Sequence, residues 1–490
     1  MSRPTAAVAR HALLYGTGSV VGGITRAVLL PVIARTLDTR QYGVLSLLLA
    51  ATNFLYLVFE LGLVAALVRF HHAAETAGER RSLRSLVLIG APVLDVVLAV
   101  PFLLARDLVS RVLFGTPEHG ALVAIAVGAA YFGVQFQLLV THFRADDRSR
   151  EFALLMAARG AISLAVTFWL VFGAGLAVRG FLIGNVVGPF AVVMLGTPLL
   201  LLRTGVDLRD ASARLKELLR FGLPLVPSGL GLWALTYLDA WLLRLFADLD
   251  AVGVFGYASE LCMPIAVLVT SVQLAWPPFA FARATHDGGP AEVARVFRHL
   301  FVLVTAGALA MSLLRREILA LLGASRYLGA VPVLPLLAFA TAIYAAARVF
   351  ETGLQLAGRT QRLPALVLVT TLFNAALNAG LIPLWHAVGA GVAIVITNLL
   401  LAGLVLRESQ RHFRIPFEVS RLARVLALAA LLVVLGDALS RASDAWALAG
   451  RVVLLGAFAP LLVPFGAITA GELRALPTVA RDLLRRGGPR

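Results

Sequence analysis

The chain has 490 residues, 60% of them hydrophobic and only 14% charged, and its mean hydropathy is +0.88. A soluble domain carries about 25% charged residues, so the composition excludes one and indicates a polytopic membrane protein. The net charge of +16 does not indicate nucleic acid, because the basic residues are dispersed through short loops and form no basic face with interleaved aromatics.

Apolar runs long enough to cross a hydrocarbon core about 30 Å thick recur along the whole chain. Taken in order they predict fourteen helical spans, near 12–34, 42–68, 84–105, 119–141, 152–174, 178–202, 218–246, 252–280, 298–318, 331–356, 363–384, 388–407, 419–440 and 446–470. The first run is too long for a cleaved leader and reads as a retained span. No segment shows the alternating pattern of a barrel strand, so the expected fold is an all-α polytopic membrane protein. The loops are short, about twenty residues at most, which leaves no room for an extramembrane catalytic domain and argues against an enzyme. One cysteine, Cys262, permits no intrachain disulfide or thiolate metal cluster, and the nine histidines show no metal-ligand spacing. No cofactor is expected.

Orientation follows from the basic residues. About two thirds of the Lys and Arg fall at the N-terminus, in the loops after even-numbered spans and in the C-terminal tail, which places both termini in the cytoplasm. An internal repeat is also visible. Tyr42-Gly43-Val44 recurs as Val252-Gly253-Val254, and Ala177-Val178 recurs as Ala387-Val388, both displaced by 210 residues. The loop from Arg148 to Ala153 has an echo from Arg359 to Ala365, displaced by 211. Six spans per copy is an even number, so the copies point the same way across the bilayer. The expected organisation is a six-helix bundle over 1–202, a linker over 203–217 and a second six-helix bundle over 218–407. Two further spans and a basic tail follow over 408–490.

Four stretches carry a family resemblance: LLPVIARTLDTRQYGVLSL, FGLPLVPSGLGLWALTYLDAWLL, VGVFGYASEL…QLAWPPF and NAALNAGLIPLWHAVGAGVAI. With them the sequence resembles the polysaccharide-transport branch of the multidrug/oligosaccharidyl-lipid/polysaccharide exporter superfamily, and within it the Wzx-type O-antigen flippases. The resemblance implies two six-helix bundles in a V, a polar cavity lined partly by spans one, two, seven and eight, and alternating access. Fourteen spans suit the lipid-linked-sugar flippases; the drug antiporters of the superfamily typically have twelve. One departure is evident: lipid II flippases have a strongly cationic cavity, whereas intramembrane acids here slightly outnumber bases.

Carrying an undecaprenyl-pyrophosphate-linked oligosaccharide requires cations for the pyrophosphate and hydrogen-bonding side chains for the sugars. Arg26 lies near the middle of span one, beyond the reach of snorkelling, and is the first cation candidate. Its alternative is an ion pair with Asp95 at the middle of span three. Arg159 and Arg348 are further candidates, with Glu351 positioned to pair with Arg348 on the same helix face. Glu60 requires a partner from another span, and Arg451, near a span end, reads as a snorkelling residue. Asn374 and Asn378, one turn apart, supply amides to substrate or to helix packing. Asp239 and Glu260, with Asp95, are candidates for proton or sodium coupling, since an unpaired charge at mid-membrane costs about 2.5 kcal/mol or more. Pro31, Pro224, Pro227 and Pro264 interrupt spans one, seven and eight. The expected partners are a lipid-linked oligosaccharide, membrane lipids, a glycan polymerase and glycosyltransferases. A cation-coupled multidrug antiporter on the same scaffold, and a polytopic glycan polymerase or ligase, are the competing readings.

Overall fold

The computed structural model describes Gly23 and residues 27–439 and 444–472. The described residues are helical throughout, with no strand. By its contacts the chain divides into two compact units, Met1–Gly253 and Val254–Arg490.

The first unit opens with α1 (Ala27–Thr36) and α2 (Thr39–Glu60). A capping box starts α2: the Gln41 amide donates to Asp38 Oδ1 at 2.7 Å, and the Asp38 amide donates to Gln41 Oε1 at 3.1 Å. This satisfies two backbone donors that the helix cannot. Leu61 and Gly62, both at positive φ, break the helix before α3 (Leu63–Ala73). Gly62 is required twice over there. Its backbone is left-handed, and a Cβ would lie 2.3 Å from the Gly222 carbonyl oxygen.

Next come α4 (Ala77–Ser85), a π-helical turn over Leu86–Gly90, α5 (Ala91–Leu104), α6 (Arg106–Phe114) and α7 (Gly120–Ala145). The unit continues with α8 (Ser149–Phe168), α9 (Ala177–Thr204), α10 (Ala211–Gly222) and α11 (Val226–Phe246). Along α9, Gly180, Gly184 and Gly188 form a stripe at one-turn spacing. A Cβ on Gly184 would meet Thr167 Oγ1 at 1.9 Å, and one on Gly188 would meet Ser163 Oγ at 2.0 Å. This small-residue seam lets α8 and α9 approach backbone to backbone, as membrane helices do without a hydrophobic driving force between them. The amphipathic α10 buries Leu218 in a core shared with Leu63, Leu67, Leu83 and Leu138. At one end of the unit Asp146 bonds His71 Nε2 at 3.1 Å and Arg84 at 3.2 Å. The hydrogen bond from His71, and then the Arg84 guanidinium, hold the Asp146 carboxyl below the usual carboxylate range against the opposing effect of burial.

The helix α12 (Leu249–Leu261) crosses from the first unit into the second, which holds α13 (Met263–Arg283), α14 (Gly289–Leu313) and α15 (Arg315–Leu321). It continues with α16 (Val333–Phe350), α17 (Thr352–Leu356), α18 (Leu363–His412), α19 (Val419–Ala438) and α20 (Asp444–Leu461). Although α18 is helical for 50 residues, His386 has φ 48° and ψ −128°. The Asn374 amide reaches Thr397 Oγ1 at 3.3 Å, 23 positions away. On a straight helix those residues would stand about 35 Å apart. The chain therefore reverses at His386, and α18 is two antiparallel helices, with the break between the expected spans 363–384 and 388–407. The core of the unit gathers Trp276, Phe297, Phe350 and Phe417, with Trp276 Nε1 donating to Thr352 Oγ1 at 2.8 Å.

Ion pairs tie the helix ends of the second unit. Arg298 joins Glu418 and Glu472, Arg315 joins Asp437, and Arg362 joins Glu408. Arg451 corrects an expectation: it is buried and paired with Glu317, and does not snorkel.

Among the described residues ten helices are long and apolar enough to cross a membrane, or eleven if a bent pair is one span. The expected number of fourteen is not confirmed by that measure, and the differences have identifiable causes. The seventh run is bent by 53° between Gly231 and Thr236; the eighth, though broken at Cys262 ahead of Pro264, still counts through Met263–Arg283. The eleventh and twelfth count as one because no unpaired residue separates them at the His386 reversal, the fourteenth is short at Trp446–Leu461, and part of the first lies outside the described residues.

Candidate functional site

Polar side chains interrupt the apolar surface of the first unit along one face of α2. Asn53 is exposed, Tyr56 and Glu60 are half-buried, and their spacing keeps all three on that face. On α8, the Arg159 guanidinium lies 4.8 Å from the centre of the Phe136 ring. Tyr56 is within electrostatic range of both Glu60 and Arg159, so the fold brings together two residues that stand 99 positions apart in the sequence. Glu60 also caps the helix break: its Oε1 accepts from the Val64 amide at 3.1 Å. That partner is local, not the residue of another span expected for it.

Beside this face α11 carries Trp233, Tyr237 and Trp241 at one-turn spacing, with Trp233 centred 6.1 Å from Tyr237 and 6.4 Å from Trp241. Trp233 Nε1 donates to the Ala50 carbonyl at 3.0 Å, and its ring meets Phe54 edge-on at 5.3 Å. Half-buried rings with a fixed orientation offer flat apolar surface. Asp239, on the same helix, is 5% exposed. Asp95 is fully buried in α5 and accepts from Gln135 Nε2 at 2.6 Å. Arg26, its alternative partner in the sequence reading, lies outside the described residues.

At the start of α2 the repeated glycines meet. A Cβ on Gly43 would lie 2.0 Å from the Leu249 carbonyl oxygen, and a Cβ on Gly253 would lie 1.8 Å from the Thr39 carbonyl oxygen. Leu249 follows Thr39 by the same 210 positions that separate the glycines, so the contact is reciprocal in the manner of a two-fold interface. Thr39 Oγ1 also donates to Asp250 Oδ1.

In the second unit several candidates make contacts within the unit. Arg348 pairs with Glu351 at 2.5 Å on the same helix. Asn378 donates to Asn374 Oδ1 at 2.9 Å, and Asn374 donates to Thr397, which places both amides in the seam between the two arms of α18. Asn398 donates to the Ala340 carbonyl at 2.9 Å. Glu260 is half-buried near the end of α12. No group of three or more His, Cys, Asp or Glu among the described residues has the arrangement of a metal site. Tyr56, Phe136 and Trp233 were missed in the sequence. Only the spacing of Asn53, Tyr56 and Glu60 could have pointed to the first of them.

No curated protein matches the sequence. The solved structures it is similar to include the lipid II flippase MurJ in an inward closed conformation, with a TM-score of 0.69 and 13% identity over 93% of this chain and 98% of that one. An inward-facing multidrug resistance MATE family transporter of the MOP superfamily matches with a TM-score of 0.62 and 16% identity, over 79% of this chain and 94% of that one. A MOP superfamily transporter from Pyrococcus furiosus gives 0.51 and 14%, over 83% and 95%. At these identities the likeness establishes the fold, one shared with a lipid II flippase and with MATE family transporters. The family model described as polysaccharide biosynthesis protein matches residues 8–282, more than half of the chain. The chain is therefore a member of the polysaccharide biosynthesis protein family, a multi-pass membrane protein with a transporter fold.

Proposed function

We propose that the protein is a flippase that moves a polyprenyl-pyrophosphate-linked oligosaccharide across the bacterial inner membrane by alternating access, in the assembly of an O-antigen or similar polysaccharide. The observation that carries this reading is the polar face of the first unit: Asn53, Tyr56 and Glu60 on α2, with Arg159 within electrostatic range of Tyr56. Charged and amide groups at mid-span are costly unless they face a partner or a wet surface, and such a face suits a hydrated headgroup. Arg159 supplies a cation for phosphate, Asn53 supplies hydrogen bonds, and Trp233 and Tyr237 supply rings for sugars to stack on. Arg26 and Arg348 are proposed as further cations, and Asn374 and Asn378 as further amides. Membership of a polysaccharide family and the fold shared with a lipid II flippase support the substrate class.

The basic loops support a cytoplasmic location for both termini. A polymerase and glycosyltransferases acting on the same lipid-linked glycan are the expected partners. Deleting the gene and locating the glycan lipid tests the proposal. Accumulation on the inner leaflet, relieved by the wild-type gene, is expected; unchanged surface polysaccharide refutes it.

Buried Asp239 favours a second reading, a cation-coupled drug antiporter, which shares the fold. Drug resistance conferred on a pump-deficient strain, with no glycan phenotype on deletion, would establish it in place of the first.

A further inference from the structure

The expected outward loop from Arg106 to Glu118 contains a helix, α6, with two apolar faces. One face packs inward through Ser110, Leu113 and Phe114, all buried. The other is open: Leu108 is 62% exposed and Val112 67% exposed. An isolated exposed leucine needs no explanation, but this pair is the end of a longer stripe. Along α5, in a helix that passes the length and hydropathy test for a membrane span, Val93, Val97, Val100 and Leu104 are exposed on the side facing away from the bundle. That side of a span faces lipid. The stripe runs through Leu104, 83% exposed, across the bend at Ala105 and on to Leu108 and Val112. Arg106 and Arg111 are exposed alongside it.

From this continuity we propose that α6 is an interfacial helix seated in the bilayer surface opposite the basic loops. Leu108 and Val112 lie in the outermost acyl layer, and Arg106 and Arg111 lie among phospholipid phosphates. A helix with a narrow apolar edge and cationic flanks binds at this boundary through buried apolar area and attraction to anionic headgroups. The seat bears on the candidate site, because Arg244 of α11 donates to the Phe114 carbonyl in the last turn of α6 at 2.6 Å. The lipid surface is thereby linked to the helix that carries Trp233 and Asp239. This inference rests only on the chain being embedded in a bilayer, and it is independent of the cargo.

Nitroxide labels read the depth directly. In a Cys262→Ala background, Leu108→Cys, Val112→Cys, Arg111→Cys and the loop reference Glu75→Cys are labelled in nanodiscs of phosphatidylethanolamine and phosphatidylglycerol. The ratio of relaxation by oxygen to relaxation by a water-soluble nickel chelate is then measured. A several-fold higher ratio at 108 and 112 than at 75, with 111 close to 75, is the expected result. A ratio at 108 and 112 equal to that at 75 overturns the proposal. So does shielding of 108 and 112 from both relaxants with dipolar broadening between copies, which would make the face a contact between two chains.

Discussion

Replacing Gly43 with alanine adds one methyl group where the structure has no space for it. The Cβ would stand 2.0 Å from the Leu249 carbonyl oxygen, 2.9 Å from its carbon and 3.2 Å from the Gly253 nitrogen. All three are backbone atoms, so no side chain can turn aside. Carbon and oxygen in close contact stand about 3.3 Å apart, so the start of α2 and the start of α12 must separate by roughly 1 Å. Overpacking of this kind costs about 1–3 kcal/mol. If the crossing closes one end of the transport path and parts during the cycle, the methyl group disfavours only the crossed state. A differential of 1–3 kcal/mol shifts that equilibrium by about 5- to 150-fold. The assay is labelling of Asp250→Cys, in a Cys262→Ala background, by a membrane-impermeant maleimide. Gly43→Ala should raise the labelling rate within that range, and Gly253→Ala should do the same because the geometry is reciprocal. Gly128→Ala, where nothing lies within 4 Å of the new atom, should change nothing. Wild-type labelling, melting temperature and export in both Gly43→Ala and Gly253→Ala would show that the helices do not meet there, and the reasoning fails.

Three further outcomes follow from the geometry. Arg159→Gln should reduce glycan export at least ten-fold with wild-type expression and melting temperature, and Glu60→Gln should reduce it less; full export from Arg159→Gln removes its proposed role. Asp239→Asn should flatten the dependence of transport on a proton or sodium gradient in proteoliposomes, and an unchanged dependence excludes coupling there. Asp146 has a lowered folded-state pKa, so its contribution to stability is present above the unfolded value of about 3.9 and is lost as pH falls through the folded value. Melting temperature measured from pH 6 downward should therefore decline below about pH 4, and Asp146→Asn should decline less steeply from a lower starting value.

The spans were legible because hydropathy over some twenty residues is a local signal, and the reversal at His386 was legible as a gap between two apolar runs. The displacement of 210 was legible as weak sequence matches, and two of the matched glycines are in reciprocal contact. The helices α6 and α15 were not anticipated, since nine and seven residues are too few for periodicity to stand out. Together they add a further echo at the same displacement: Arg106-Asp107-Leu108 and Arg316-Glu317-Ile318. The partners of buried charges were the least legible part. Asp95 takes Gln135, 40 positions on, and Arg451 takes Glu317, 134 positions back. Nothing local marks either pair, because packing of distant helices decides them.

The distribution of polar groups between the two units gives the site its direction. In the second unit the buried charges among the described residues are paired: Glu351 with Arg348, Glu408 with Arg362, Arg315 with Asp437, Arg451 with Glu317 and Arg298 with two glutamates. Its buried amides close a helix hairpin. These groups hold helix ends and arms in register, and a protein needing only stability could replace many of them with apolar residues at little cost. On the first unit Asn53 is exposed in the middle of an apolar helix, its amide donating to the Leu49 carbonyl at 2.8 Å, with Tyr56 and Glu60 on the same face and an aromatic row on α11. Lipid would penalise that surface, and packing of α2 against its neighbours does not bury it. A hydrated headgroup would suit that surface, which is why the proposed function turns on α2 and α11 and is tested first at Arg159.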